Sequence, residues 1–253
     1  MKTRFFHIFI ILLSIILYQG CDNENQSAFI NSVINSTTLE EENIIKNTLR
    51  DEWFGFYFKG MKIGYLNSRI SETETGYIGY SEGYMKVENI AGIGEETKIV
   101  EKLDLDKKYR LNAFFYEIKQ GENSIKLKGE KNDNILKVIL EAGGSVREKK
   151  EKIAGNIYSP LSLYLQLLKE GITAEKELSY DVYFQPTNKI ATLYAKVGEA
   201  REIEFKGQKI RAYPVSEEIE GMKSTFWITE DGKKVKEESF EGFEIVAETK
   251  EEA

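Results

Sequence analysis

Short segments in which apolar and polar residues alternate follow one another from about residue 53 to residue 249, and polar turn sequences such as Asn132-Asp133-Asn134 separate them. A side-chain period of two is typical of β-strands that bury one face. Short polar turns between such strands favour antiparallel neighbours. The pattern therefore predicts a mainly β fold, with a long, twisted and strongly curved antiparallel sheet or partial barrel.

The densest aromatic segment spans residues 53–69 and is predicted to form two strands joined at Lys59-Gly60-Met61-Lys62. Glycine supplies the positive φ that such a tight hairpin turn requires. Aromatic residues on both faces of the first strand indicate a strand that is covered on both sides or lines a cavity. We expect Trp53, Tyr57 and Tyr65 to be mostly buried and to anchor the sheet, and an open binding face is the alternative.

One helix is predicted inside this β-rich region, over residues 160–169. Ser159 suits the N-cap, Pro160 suits the first helical position, and Gly171 is placed to end the helix. The apolar residues between them form a stripe at helical spacing, which indicates that the helix packs against the sheet.

A second helix is predicted at the N-terminal side of the sheet, from Thr38 to about Asp51. Thr38 and Glu41 have the spacing of a capping box, and apolar residues at helical spacing follow them. With this helix included, residues 37–253 are predicted to form a single β-rich domain.

The N-terminus has the features of an export signal. Lys2 and Arg4 precede an apolar run over residues 5–17, which is shorter than the roughly 20 residues that span a bilayer. A positive flank, a short apolar core and a small residue near Gly20 predict a secretory signal peptide over residues 1–20. The only cysteine of the chain, Cys21, follows directly.

The sequence Leu-Tyr-Gln-Gly-Cys at residues 17–21 resembles the lipobox of bacterial lipoproteins. The resemblance implies that Cys21 is diacylated on sulfur, becomes the new N-terminus and anchors the protein to a membrane. An ordinary signal peptide followed by a chance cysteine is the alternative. Residues 21–36 are then the lipidated cysteine and a flexible tether, and the choice between inner and outer membrane is open.

The mature chain lacks the residues that several common chemistries require. The single histidine, His7, lies in the predicted signal peptide, and Cys21 is the predicted lipid attachment site. Ser-His-Asp and Cys-His catalysis and the usual zinc and copper sites are therefore excluded, and no cofactor is predicted. A formal net charge of -7 also argues against nucleic acid as a partner.

Acidic pairs and aromatic residues are the remaining candidates for function. The acidic runs at 40–42, 95–96, 217–218 and 237–238 are predicted to be solvated, and a calcium site or the carboxylates of a glycan hydrolase are the alternatives. The candidate ligand-facing aromatic residues, for which a place in the core is the alternative, are Tyr77, Tyr80, Tyr84, Phe114 and Tyr116.

Three short motifs resemble a β-rich domain that precedes transglutaminase-like domains in exported bacterial proteins. They are the Trp-x-Gly-x-Tyr-x-x-Gly-x-Lys-x-Gly-Tyr pattern at residues 53–65, the Trp227…Asp231-Gly232 hairpin and the segment Glu248-Thr249-Lys250-Glu251-Glu252-Ala253. The resemblance implies an extracytoplasmic β-rich domain without assigned catalytic residues, so no site is carried over. A more remote similarity, of fold class alone, is to the lipoprotein carriers of the periplasm, whose curved sheet holds acyl chains.

These observations predict a membrane-anchored lipoprotein of the cell envelope that is not an enzyme. The first hypothesis is a binding or scaffold module that works beside an envelope partner such as a transglutaminase-like peptidase. The alternative is a carrier of a lipid or another apolar ligand on a concave aromatic face of the sheet. A carboxylate-based glycan hydrolase is a distant third hypothesis.

Overall fold

The computed structural model describes residues 47–88, 94–239 and 242–253. In this part of the chain, fifteen β-strands form one sheet with a single α-helix, α1 (Pro160–Glu170), and a short 3-10 helix (Gln185–Thr187). The strands are β1 (Thr48–Phe58), β2 (Met61–Glu72), β3 (Gly76–Glu88), β4 (Gly94–Asp106), β5 (Leu111–Gln120), β6 (Asn123–Asn132), β7 (Ile135–Ala142), β8 (Ser145–Lys152), β9 (Glu177–Phe184), β10 (Lys189–Val197), β11 (Arg201–Phe205), β12 (Gln208–Ile219), β13 (Met222–Thr229), β14 (Lys234–Ser239) and β15 (Phe243–Glu248).

The sheet is a meander in two halves that meet where the last strand pairs with the first. Its order is β8-β7-β6-β5-β4-β3-β2-β1-β15-β14-β13-β12-β10-β9, with β11 added beside β12. Every named pair is antiparallel, and β15 lies against β1 with Phe54 opposite Ala247. The predicted class, a large antiparallel sheet with one packed helix, is confirmed.

Two-residue turns join several of the strands. Lys59 and Gly60 both have positive φ, 49° and 79°, as the two central residues of a type I′ turn do. The predicted hairpin between β1 and β2 is therefore confirmed, and its turn type matches the right-handed twist of the two strands. The turn before β14 differs from its predicted form, because only Gly232 of the Asp231-Gly232 pair has positive φ. There the Thr229 hydroxyl accepts a hydrogen bond from the Lys233 N–H at 3.1 Å and holds a wider turn.

The sheet curls strongly without closing into a barrel. The segment after β8 reaches β9 at the opposite end of the strand order, where the Tyr158 N–H donates to the Asp181 carbonyl oxygen at 2.9 Å. The Tyr183 N–H donates to the Tyr158 carbonyl oxygen at 3.1 Å. A single parallel bridge between Tyr158 and Val182 therefore joins the two ends of the sheet.

Helix α1 lies on one face of the curled sheet, which we call the inward face, and it contacts both halves. Leu165 belongs to a core cluster with strands of the first half, whereas Leu163 and Leu167 belong to a second cluster with β9, β10, β12 and β13. A Cβ atom on Gly79 would lie 2.6 Å from Leu161 Cδ2, so glycine permits the close approach of helix and sheet. The predicted packed helix is confirmed.

Buried polar contacts fix the start of α1. The Ser159 N–H donates to Ser162 Oγ at 3.1 Å, and the Ser162 hydroxyl donates to the Tyr109 carbonyl oxygen at 2.7 Å. Both serines are 0% exposed. The N-cap predicted at Ser159 is therefore present, and it is also tied to the loop before β5.

The helix predicted from Thr38 to about Asp51 is wrong at its C-terminal end. Residues from Thr48 onward belong to β1, where Arg50 pairs with Ile70 of β2. Pairing with β2 overrides the local helical spacing, because it satisfies the backbone of this segment within the sheet. The remainder of that helix, the predicted signal peptide, Cys21 and the tether lie outside the described residues.

Candidate functional site

The structure divides the five predicted ligand-facing aromatic residues between the two faces of the sheet. Phe114 is 1% exposed, and its ring stacks on Tyr183 with the centroids 4.5 Å apart. The Tyr77 ring packs against Tyr109 with a centroid separation of 4.9 Å, and Tyr116 packs against the same core cluster. These three inward residues pack against the core of the first half and do not line an open groove.

Tyr80 and Tyr84 point to the outward face, opposite the helix. The Tyr84 ring stacks on Tyr65 with centroids 5.9 Å apart, and Trp53 lies 5.9 Å from Tyr65 on its other side. Arg69 lies over the Tyr80 ring at 4.7 Å from its centroid. We call Trp53, Tyr65, Arg69, Tyr80 and Tyr84 the outward patch.

Trp53, Tyr57 and Tyr65, which were predicted to be mostly buried and to anchor the sheet, have intermediate exposure and lie outside the core clusters. Phe54, in contrast, is 3% exposed. Successive side chains of a strand point to opposite faces, so the inward position of Phe54 places Trp53 on the outward face. Phe54, rather than Trp53, packs within the curled sheet.

Polar contacts with the C-terminal strand hold the edge of the outward patch. The Tyr57 hydroxyl donates to Glu248 Oε1 at 2.6 Å, and Lys62 Nζ lies 2.7 Å from Glu248 Oε2. The hydrogen bond to Glu248 is the main reason that the pKa of Tyr57 rises to about 12. Lys250 Nζ lies 5.7 Å from the centroid of the Trp53 ring, so cations contact this aromatic surface from two sides.

A group of ionisable side chains lies on the inward face beside α1, and we call it the inward charged cluster. It comprises Arg50, Glu52, Glu217, Lys234 and Glu237. Lys234 pairs with Glu237, and Arg50 Nη1 lies 3.3 Å from Glu52 Oε1. The hydroxyl of the helix residue Tyr164 lies 3.3 Å from Glu52 Oε1 and donates to the Gly232 carbonyl oxygen at 2.9 Å.

Electrostatics in this cluster reflect burial and neighbouring charge. Burial, with a further contribution from Glu237, raises the pKa of the Glu217 carboxyl to about 7. Burial lowers the pKa of Lys234, but Glu237 and Glu217 outweigh that effect and raise it above its usual value. The Lys234 ammonium also lies 5.2 Å from the Phe226 ring centroid. The cluster thus contains two ion pairs and a third carboxyl group, Glu217, whose pKa is raised.

A separate inward carboxylate, Glu101, lies in the first half of the sheet. It sits opposite Tyr116 on β5, and its Oε1 accepts a hydrogen bond from Gln185 Nε2 at 2.7 Å. Burial raises the pKa of Glu101 to about 7. Within the described residues, no three His, Cys, Asp or Glu side chains form a group that could hold a metal ion.

Sequence reasoning missed both inward carboxylate sites. Glu217 and Glu237 belong to the acidic runs that were predicted to be solvated, and no role was predicted for Lys234. The only local signal was the strand period. Glu217 lies two residues after Val215, which is 0% exposed, so both side chains point to the same face. Acid–base chemistry needs carboxylates that are free to meet a substrate, but here Glu237 pairs with Lys234, and Glu217 accepts a hydrogen bond from Ser224 at 3.2 Å.

No protein-family model matches the sequence, and no curated protein matches it. Among solved structures, the fold is similar to that of a β-barrel-like protein of the domain of unknown function DUF1849 from Brucella abortus. That similarity has a TM-score of 0.56 at 11% sequence identity and covers 78% of this chain and 95% of the other. A DUF1089 family protein from Pseudomonas aeruginosa has a TM-score of 0.38 at 12% sequence identity, and the match covers 67% of this chain and 87% of the other.

The first of these similarities concerns the fold alone and places the chain among β-barrel-like folds. It agrees with the curled, unclosed sheet described above. Within the described ranges, no helix has the length and apolar character needed to cross a membrane.

Proposed function

We propose that this protein is a lipid-anchored binding module of the cell envelope, without catalytic activity, and that its outward patch binds a protein partner. The observation that carries the proposal is the composition of the patch, which is one tryptophan, three tyrosines and one arginine on one face of β1, β2 and β3. Trp, Tyr and Arg are the residues most enriched among those that dominate binding energy at protein interfaces.

The geometry of the patch also favours binding. Tyr65 is stacked between Trp53 and Tyr84, and Arg69 lies over Tyr80. Rings that are already held by their neighbours lose little conformational freedom when a partner covers them. The resemblance of the motifs at residues 53–65 to domains beside transglutaminase-like peptidases supports an envelope peptidase as the partner.

The carrier hypothesis receives less support from the inward face. A concave aromatic surface would have to admit an acyl chain, but Phe114 is 1% exposed and stacks on Tyr183, and Leu165 of the helix lies in the same cluster. A ligand of that size would therefore have to displace side chains that already pack against one another.

Membrane anchoring through Cys21 is tested by Cys21→Ser in cells. We expect the variant to lose incorporation of labelled fatty acid and to leave the membrane fraction, because the thioether-linked lipid requires the thiol. A variant that stays in the membrane fraction without lipid label contradicts the anchoring proposal.

Partner binding is tested with a photo-cross-linking amino acid at position 65 in living cells. We expect one discrete adduct, identified by mass spectrometry as an envelope peptidase, which disappears when Trp53→Ala is added. The matched control carries the cross-linker at Ile135, a 39% exposed position at the start of β7. An equal adduct at position 135, or an adduct that survives Trp53→Ala, refutes the outward patch as the interface.

A further inference from the structure

The second half of the sheet carries a groove on its outward face. It has a volume of about 740 Å³. Four neighbouring strands, β9, β10, β12 and β13, each contribute three consecutive residues, which are 177–179, 194–196, 216–218 and 223–225. The groove thus crosses the strands of one continuous sheet.

Strand register shows how the side chains are arranged in this groove. One cross-strand row has Tyr194 opposite both Ser179 and Glu218. A parallel row has Lys196 opposite both Glu177 and Ser216. Because side chains alternate along a strand, the two rows point away from the helix and form the walls, while backbone between them forms the floor.

Tyr194 is the most distinctive member of the groove. Its side chain is 59% exposed, although its neighbours along β10, Leu193 and Ala195, lie in the core cluster beside α1. A solvated tyrosine in a concave site offers a flat apolar ring with a polar end, which suits it to stacking on a ligand. Packing within the fold does not require a ring at this position.

The two walls carry two lysines and two glutamates, and Glu175 beside the groove adds a third carboxylate. Lys196 lies 3.2 Å from Glu177 and 2.9 Å from Glu175, and Lys223 lies 3.3 Å from Glu218. Since each cation already has a carboxylate partner, the groove presents no concentrated charge of one sign to an ionic ligand. It presents instead many hydrogen-bonding groups, including the hydroxyls of Ser179, Ser216 and Thr225.

We propose that this groove binds a neutral oligosaccharide, with one sugar ring stacked on Tyr194. The C–H face of a sugar ring is apolar and matches the tyrosine ring, while its hydroxyls match the serine, threonine and ion-pair groups of the walls. Three strand-to-strand steps make the groove about 14 Å long, which accommodates a short run of linked sugars. The proposal is independent of the outward patch, which lies on β1, β2 and β3.

The test measures binding of a neutral N-acetylglucosamine tetramer to the full chain in mild detergent by isothermal titration calorimetry. We expect saturable binding that Tyr194→Ala weakens by about tenfold, which corresponds to about 1.4 kcal/mol, because the substitution removes the ring on which the sugar stacks. Tyr194→Phe keeps the ring and should retain most of the affinity. Leu49→Ala removes another exposed apolar side chain, 54% exposed on β1, and should bind like the unmodified chain.

Comparison ligands make the proposal falsifiable. Absence of binding of the sugar, or equal binding by Tyr194→Ala, overturns it. Preferential binding of a sulfated oligosaccharide or of an extended tetrapeptide, lost in Tyr194→Ala, also overturns it and assigns the groove to another ligand class. Trp53→Ala alters the outward patch and not the groove, so this variant should bind the sugar normally. The test of the sugar site is therefore separate from the test of the protein partner.

Discussion

Glu101 provides the sharpest test of the electrostatics inside the sheet. Burial alone raises the pKa of its carboxyl from 4.5 to about 7, so the folded state holds its proton at a pH at which the unfolded chain has released it. Between these two values the folded protein binds more protons than the unfolded one, and the free energy of unfolding must fall as the pH rises.

The size of the effect follows from the shift. One pKa unit corresponds to about 1.4 kcal/mol, so the full shift corresponds to about 3 kcal/mol. Because the side chain keeps partial contact with solvent, we expect a contribution of about 1–3 kcal/mol. This destabilisation is absent below pH 4.5, grows above it, and is complete once the pH exceeds about 7.

The perturbation is Glu101→Gln, measured by urea unfolding at a series of pH values on the chain without residues 1–21. Glutamine keeps the oxygen that accepts the hydrogen bond from Gln185 Nε2, but it does not ionise. At about pH 5 the variant should match the parent within about 1 kcal/mol, and at about pH 8 it should be more stable by about 1–3 kcal/mol.

The control for this experiment is Glu199→Gln. Glu199 is exposed in the connection between β10 and β11, so its substitution should change the free energy of unfolding by only a small amount. A difference between Glu101→Gln and the parent that stays constant from about pH 5 to pH 8 would show that Glu101 is not held neutral by burial, and it would refute this reasoning.

Two further predictions concern stability. Phe54→Ala should lower the free energy of unfolding, measured in urea, by about 3–5 kcal/mol, whereas Trp53→Ala, at a half-buried position, should lower it clearly less. Equal losses in the two variants would contradict the assignment of the two side chains to opposite faces. Gly129→Ala should lower the thermal midpoint, because its Cβ would lie 1.9 Å from Cε1 of the buried Phe114 ring and overpacking costs about 1–3 kcal/mol. Gly155→Ala, with open space around the Cβ position, is the control, and a similar shift in both variants would disprove the clash.

Local patterns were sufficient for the elements of this fold. The hairpin at Lys59-Gly60 and the helix that begins at Pro160 follow from turn chemistry, capping and side-chain period, all of which act within a few neighbouring residues. The same local reasoning failed at residues 48–51, where helical spacing competes with pairing to β2. Strand pairing joins residues that are distant along the chain, and the pattern within one segment does not reveal it.

The assignment of faces was decided only by tertiary structure. Alternation along β1 established that Trp53 and Phe54 point in opposite directions, but the side on which the helix packs depends on the curl of the sheet and on the pairing of β15 with β1. The same holds for Glu101, Glu217 and Lys234, whose pKa shifts arise from burial and from charges on distant strands. Residue patterns alone predict a β-rich chain with one packed helix, because those features are local. Tertiary structure decides which aromatic rings are exposed and which carboxylates are buried, because burial depends on how distant strands and the helix pack together.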